Sequence, residues 1–133
     1  MKRVDLYFLL LATFLLICGA VLGIVMGTKE DFQLAPVHAH LNLAGWASLG
    51  LFGLAYRAYP QMAATRLAFY HFIVSAIGSV LLPIGIGFAV LRNSPGIAIV
   101  GSILWFLGVL LFGVQLLRLT GNRYEQRTLS PAE

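Results

Sequence analysis

LYFLLLATFLLICGAVLGIVMG, residues 6–27, decides the fold. It carries no charge and matches the about 20 apolar residues that a hydrocarbon layer of about 30 Å requires of a helix. Lipid offers the backbone no hydrogen-bond partners, so such a run crosses as a helix or not at all. Met1-Lys2-Arg3 ahead of an apolar run is also how a secretory signal begins, and Leu15-Leu16-Ile17-Cys18 has the outline of a lipoprotein site. Ile17 is a poor residue before a lipid-modified cysteine, and the run is long enough to span, so it is read as the first helix.

The rest of the chain has the same character. Its 133 residues are 59% hydrophobic and 11% charged, with a mean hydropathy of +0.88. That leaves room for four spans joined by short connections and none for a soluble domain. The sequence predicts an all-α membrane protein, a single domain over residues 1–133, with transmembrane helices at about 6–27, 37–56, 67–91 and 96–117. Gly19, Gly23 and Gly27 recur every four residues on the first helix and predict a smooth packing stripe. Pro36 suits the first turn of the second helix, and Arg57, Tyr59 and Pro60 close it. Gln61 to Arg66 read as a polar turn. Pro83, Gly85 and Gly87 interrupt the third helix in its second half and predict a kink or locally freed carbonyls there. Gly101 and Gly108 are the small residues of the fourth, and the chain beyond Leu117 reads as a polar tail.

Basic residues set the expected orientation. With the N-terminus inside, Lys2, Arg3, Arg57, Arg66, Arg118, Arg123 and Arg127 are cytoplasmic, which leaves only Lys29 and Arg92 outside. Both termini are then cytoplasmic, in a cell inner membrane, and the second helix enters from the outer, periplasmic side. The net charge of +4 is explained by this topology, and nucleic acid is not an expected partner. The one cysteine, Cys18, excludes an intrachain disulfide. There is no nucleotide-binding loop, no nucleophile beside a base and no pair of intramembrane carboxylates, so hydrolase and transferase chemistry has nothing to stand on.

The candidate site is HAHLNLAGW, His38–Trp46, where two imidazoles head an apolar helix. Ionisable groups inside a membrane helix are costly and mark function by default. At about 100° per residue, His38 and His40 diverge by about 200° and point into different gaps between helices. Asn42 and Gly45 follow His38 on one face, and Ala44 and Ala47 follow His40 on the other, small enough to admit a flat group beneath each ring. Joint capture of copper or zinc by both rings, with Met26 as a further ligand, requires extended backbone around Pro36.

His38-Ala39-His40 with Ala44-Gly45-Trp46 resembles the His-x-His segment on the tenth helix of the catalytic subunit of haem-copper oxidases, the C-family oxidases in particular, and of the related nitric oxide reductases. In those families one histidine of the pair ligates a high-spin haem and the other a low-spin haem. The resemblance implies haem b held without covalent attachment by His38 and His40. It also implies that Asn42, Ala44, Gly45 and Trp46 line its site, and that Arg92, in the loop after the third helix, pairs with the propionates. The family's twelve helices form three arcs of four, each with ligands on its second helix, so this chain resembles one arc. A homotrimer would rebuild the larger architecture, with a homodimer as the alternative.

The departures matter as much. A copper centre takes three further histidines and only His71 remains, on the order of 20 Å from His40 in depth, so copper-dependent oxygen reduction is not expected. His71 itself is read as an interfacial residue beside Tyr70, with proton transfer or a second site as the alternative. The expected function is a b-type haem protein with bis-histidine iron, serving one-electron transfer or gas and redox sensing with a quinone or protein partner. The alternatives are a non-catalytic assembly protein of a respiratory complex and a copper- or zinc-binding membrane protein.

Overall fold

The computed structural model describes residues 3–129, with side chains to residue 121. Lys2 and the side chains of Arg123 and Arg127, used above for orientation, lie outside that description. Every regular element among the described residues is helical: α1 (Val4–Lys29), α2 (Ala35–His40), a π-helical segment (Leu41–Ala47), α3 (Ser48–Ala58), α4 (Pro60–Ala63), α5 (Arg66–Arg92) and α6 (Gly96–Leu129). Local chemistry fixes the ends. α1 stops at Glu30 and α5 at Asn93, each left-handed at φ 52°, and the Thr65 hydroxyl caps α5 by accepting the Ala68 N–H at 3.2 Å.

Three helices are long and apolar enough to cross a membrane: Val4–Lys29, Arg66–Arg92 and Gly96–Gly121. The predicted second span is divided among α2, the π segment and α3, of 6, 7 and 11 residues. His40, Leu41, Ala47 and Ser48 all keep right-handed helical angles, so the rod continues through both junctions. The predicted polar turn at Gln61–Arg66 contains the short helix α4. The polar tail after Leu117 continues α6 to Leu129.

Hydropathy does not choose the inner face of α1, which is apolar all round. Its buried side carries Val4, Phe8, Ala12, Leu15 and Gly19, while Leu10 and Ile24 on the other side are each 66% exposed. An exterior as apolar as the core is what lipid, or another apolar subunit, requires. The core joins α1 to Leu49, Phe52 and Tyr56 of α3, closed below by Met62 and Ala68.

α5 and α6 approach backbone to backbone. Gly85 lies against the Ala98 main chain, Gly78 against that of Trp105, and a Cβ on Gly101 would stand 2.6 Å from the Leu82 nitrogen. This corrects the interruption expected at Pro83, Gly85 and Gly87. α5 runs unbroken through Pro83, and Pro83 and Gly85 are buried, small surfaces that admit the neighbouring helix.

Candidate functional site

The stripe on α1 finds its partners on the second rod. Ideal Cβ atoms on Gly19 and Gly23 would lie 2.7 Å from the Asn42 amide and 2.8 Å from the His38 ring; Gly27 faces open space. His38 is thereby laid against α1, where its Nδ1–H donates to the Gly19 carbonyl at 2.8 Å. Asn42 donates to the His38 carbonyl at 2.8 Å and stands 3.5 Å from His38 Nε2. Gly45 is occupied as well, by the Leu15 side chain. The room for a flat group expected beneath His38 is therefore filled within the chain by Asn42 and Leu15.

His40 faces the other way. Its Nδ1–H donates to the Pro36 carbonyl at 2.8 Å. It lines an open cavity of about 380 Å³ with Leu43, Ala44, Ser48, Leu82, Ser102 and Trp105. In both rings a backbone carbonyl holds the proton on Nδ1 and puts the lone pair on Nε2, the tautomer of a metal-ligating imidazole, although that of His38 faces the Asn42 amide. The two rings therefore cannot serve one ion: residues 35–40 are helical, and the extended backbone that joint capture of copper or zinc requires is not adopted. Met26 is buried on α1. Among the described residues no three of His, Cys, Asp or Glu converge as a metal cage.

The π segment shapes the cavity wall. Ser48 N–H reaches back five residues to the Leu43 carbonyl, and the Ser48 hydroxyl donates to the same oxygen at 2.8 Å. The Ala44 carbonyl accepts instead from neighbouring helices, at 3.3 Å from Ser79 Oγ of α5 and 3.1 Å from Trp105 Nε1 of α6. Single-turn π geometry of this kind concentrates at functional sites. Ala44 is buried beside His40, but Trp46 is 45% exposed and does not line the cavity. Trp105 takes the place expected of Trp46. The signal for it was a lone Trp deep in an apolar helix, far from either interface, where its N–H needs a partner.

Arg92 is exposed in the last turn of α5. A Cβ built on Gly87, five residues before it, would stand 3.8 Å from the Val37 side chain, so this end of α5 sits beside the start of α2 and its histidines. Lys29 is exposed at the end of α1.

His71 overturns its expected interfacial position. Tyr70 is 59% exposed, whereas His71, about 100° round α5 from it, is fully buried. Its ring lies 4.9 Å from those of Phe8 and Phe52 and stacks on Phe112 at 5.7 Å. The Tyr56 hydroxyl bonds His71 Nδ1 at 2.8 Å, and Gln115 approaches the same hydroxyl at 3.5 Å while donating to Thr65 Oγ1 at 2.8 Å. A second open cavity, about 620 Å³, lies at this end between Arg3, Asp5, Tyr56, Arg57 and Pro60. Arg57 pairs there with buried Asp5 at 3.2 Å.

No protein-family model matches the chain, and no curated protein or solved structure is significantly similar to it. The likeness to the oxidase segment therefore rests on the His38–Trp46 motif.

Proposed function

We propose that this chain is a four-span inner-membrane protein, both termini cytoplasmic, that carries haem b on His40 and His38 and works in one-electron transfer. One observation carries the reading: each imidazole has its Nδ1–H fixed to a backbone carbonyl at 2.8 Å, which puts the lone pair on Nε2; His40 lines the cavity, and His38 becomes a ligand when its Nε2 parts from the Asn42 amide 3.5 Å away. Two such atoms suffice for a porphyrin, which brings its own four equatorial nitrogens. They do not suffice for a bare ion.

The rings face apart, so the two axial ligands come from different copies of the chain: His40 with its cavity from one, His38 from the next, in a cyclic homotrimer with one haem per chain. Leu43, Ala44, Leu82 and Trp105 supply the apolar wall. Arg92, at the same end of the bundle, is the cation assigned to the propionates. Bound haem supplies a one-electron carrier whose potential follows from burial and nearby charge.

The test is expression with ample haem, followed by reduced-minus-oxidised spectra, haem quantitation and oligomer mass on the purified protein. One haem per chain in a trimer, lost in both His40→Ala and His38→Ala, is the expected result. Half a haem per chain in a dimer, insensitive to His38→Ala, replaces the trimer with symmetry-related His40 ligands. A colourless protein that co-purifies stoichiometrically with a respiratory complex would sink the haem reading and favour the assembly role.

A further inference from the structure

The end of the bundle where α1 and α5 begin and α3 stops gathers basic side chains that the haem reading does not use. Arg3 and Arg57 line the cavity of about 620 Å³, and Arg66 lines another of about 380 Å³ with Thr65, Phe69 and Tyr70. Ala64 belongs to both walls, so the two openings are neighbours. Both volumes fall within the about 300–1,000 Å³ of small-molecule sites.

Charge narrows the occupant. The Asp5 carboxylate, 8% exposed, engages Arg57 through one guanidinium nitrogen at 3.2 Å. The arginine side chain is otherwise 68% exposed and keeps donors for an acceptor outside the chain. Arg3 and Arg66 are exposed and have no acidic partner among the described residues, so each cavity holds one uncompensated cation. The rest of the larger wall is Tyr56, whose hydroxyl is committed to His71, and Pro60, Ala63 and Ala64, whose side chains carry no polar atom. Nothing there would read a base or a sugar, whereas guanidinium donors suit the oxygens of a phosphate.

The surface leading away from the arginines distinguishes a lipid from a free anion. Phe69, in the smaller wall, begins a series with Ile73 and Ile77 at intervals of four on α5, and these are 39%, 38% and 46% exposed. The series runs about 12 Å into a helix apolar enough to cross a membrane. We propose that this end of the bundle binds one anionic phospholipid, its phosphodiester held by Arg3, Arg57 and Arg66 and an acyl chain laid along Phe69, Ile73 and Ile77.

With both termini cytoplasmic, as proposed above, the site meets the cytoplasmic leaflet, where basic pockets between spanning helices take lipid headgroups. It shares no residue with the haem site at the other end of the second rod, so either can fail without the other.

The test uses the full chain, purified in a neutral detergent and titrated with an equimolar mixture of dioleoylphosphatidylglycerol and dioleoylphosphatidylcholine, with retained lipid counted by native mass spectrometry. The expected result is one phosphatidylglycerol per chain, retained over phosphatidylcholine and not displaced by an equal concentration of inorganic phosphate. Arg3→Gln and Arg66→Gln should each weaken retention about fivefold. Lys29→Gln, which removes the same charge from the opposite end of α1, should leave it unchanged. Absence of a phosphatidylglycerol preference in the unmodified protein, a readout that no variant's folding affects, overturns the site. Equal weakening by Lys29→Gln also overturns it, since net charge alone then explains retention. Displacement by inorganic phosphate overturns the lipid and leaves a site for a free anion.

Discussion

Gly101→Ala should loosen the α5–α6 pair, and Gly113→Ala on the same helix should not. A Cβ on Gly101 would stand 2.6 Å from the Leu82 nitrogen, 2.7 Å from its Cα and 2.9 Å from the Leu81 carbonyl carbon, whereas nothing lies within 4 Å of one on Gly113. Ordinary contact begins near 3.4 Å, so the backbones must part by about 0.8 Å. Main chain cannot rotate aside as a side chain does, so the cost falls near the upper end of overpacking, about 3 kcal/mol. Replacing glycine in a helix returns up to about 1 kcal/mol at either position. The expected gap between the two variants is therefore about 3 kcal/mol, roughly a hundredfold in the folding equilibrium. Titration of each variant from mild detergent into dodecyl sulfate, followed by tryptophan fluorescence from Trp46 and Trp105, measures it. Equal midpoints and slopes for the two variants would refute the close backbone approach.

Further outcomes follow from single contacts. Gly23→Ala would put a Cβ 2.8 Å from His38 Cε1 and should displace the ring from the Gly19 carbonyl; ¹⁵N shifts of His38 report the lost tautomer, and an unchanged spectrum counts against the packing. Ser79→Ala with Trp105→Phe removes both donors reaching the Ala44 carbonyl, so the double variant should be less stable than the sum of the singles, each of which leaves one donor. Arg57→Ala leaves the buried Asp5 carboxylate unpaired and should cost about 1–2 kcal/mol, reduced because the arginine side chain is 68% exposed; adding Asp5→Asn should recover most of it in the same titration.

Length and apolarity sufficed to read the three long helices α1, α5 and α6, because a hydrocarbon solvent leaves a long apolar run no other regular form. The glycine stripe on α1 was legible for a related reason: Gly19 and Gly23 need no knowledge of what fills them to announce that something does. Burial was not legible. Leu10 and Leu15 are the same residue type in the same run, yet one faces out and the other fills the notch at Gly45. Where the exterior is apolar, hydropathy carries no information about inside and outside. His71 was misjudged for that reason, since its neighbour Tyr70 looked interfacial and nothing local announced Tyr56, fifteen positions earlier, as its partner.

The π segment was also hidden, and it determines where the cavity can be. LNLAGWA has ordinary helix composition, so its hydrogen-bond shift is imposed from outside: Leu15 enters at Gly45 from one side, while Ser79 and Trp105 draw the Ala44 carbonyl from the other. A strict α-helix would commit that carbonyl to Ser48 N–H, and the indole would then have to find another acceptor. With the shift, Ser48 turns back to Leu43, Trp105 is held against Ala44, and the cavity remains bounded by His40, Ser48 and the indole. The same carbonyl accepts from Ser79 on the buried face of α5. The His40 site and the buried face of α5 therefore meet at one backbone atom, and a change at Ser79 should be felt at His40 although the two side chains are on different helices.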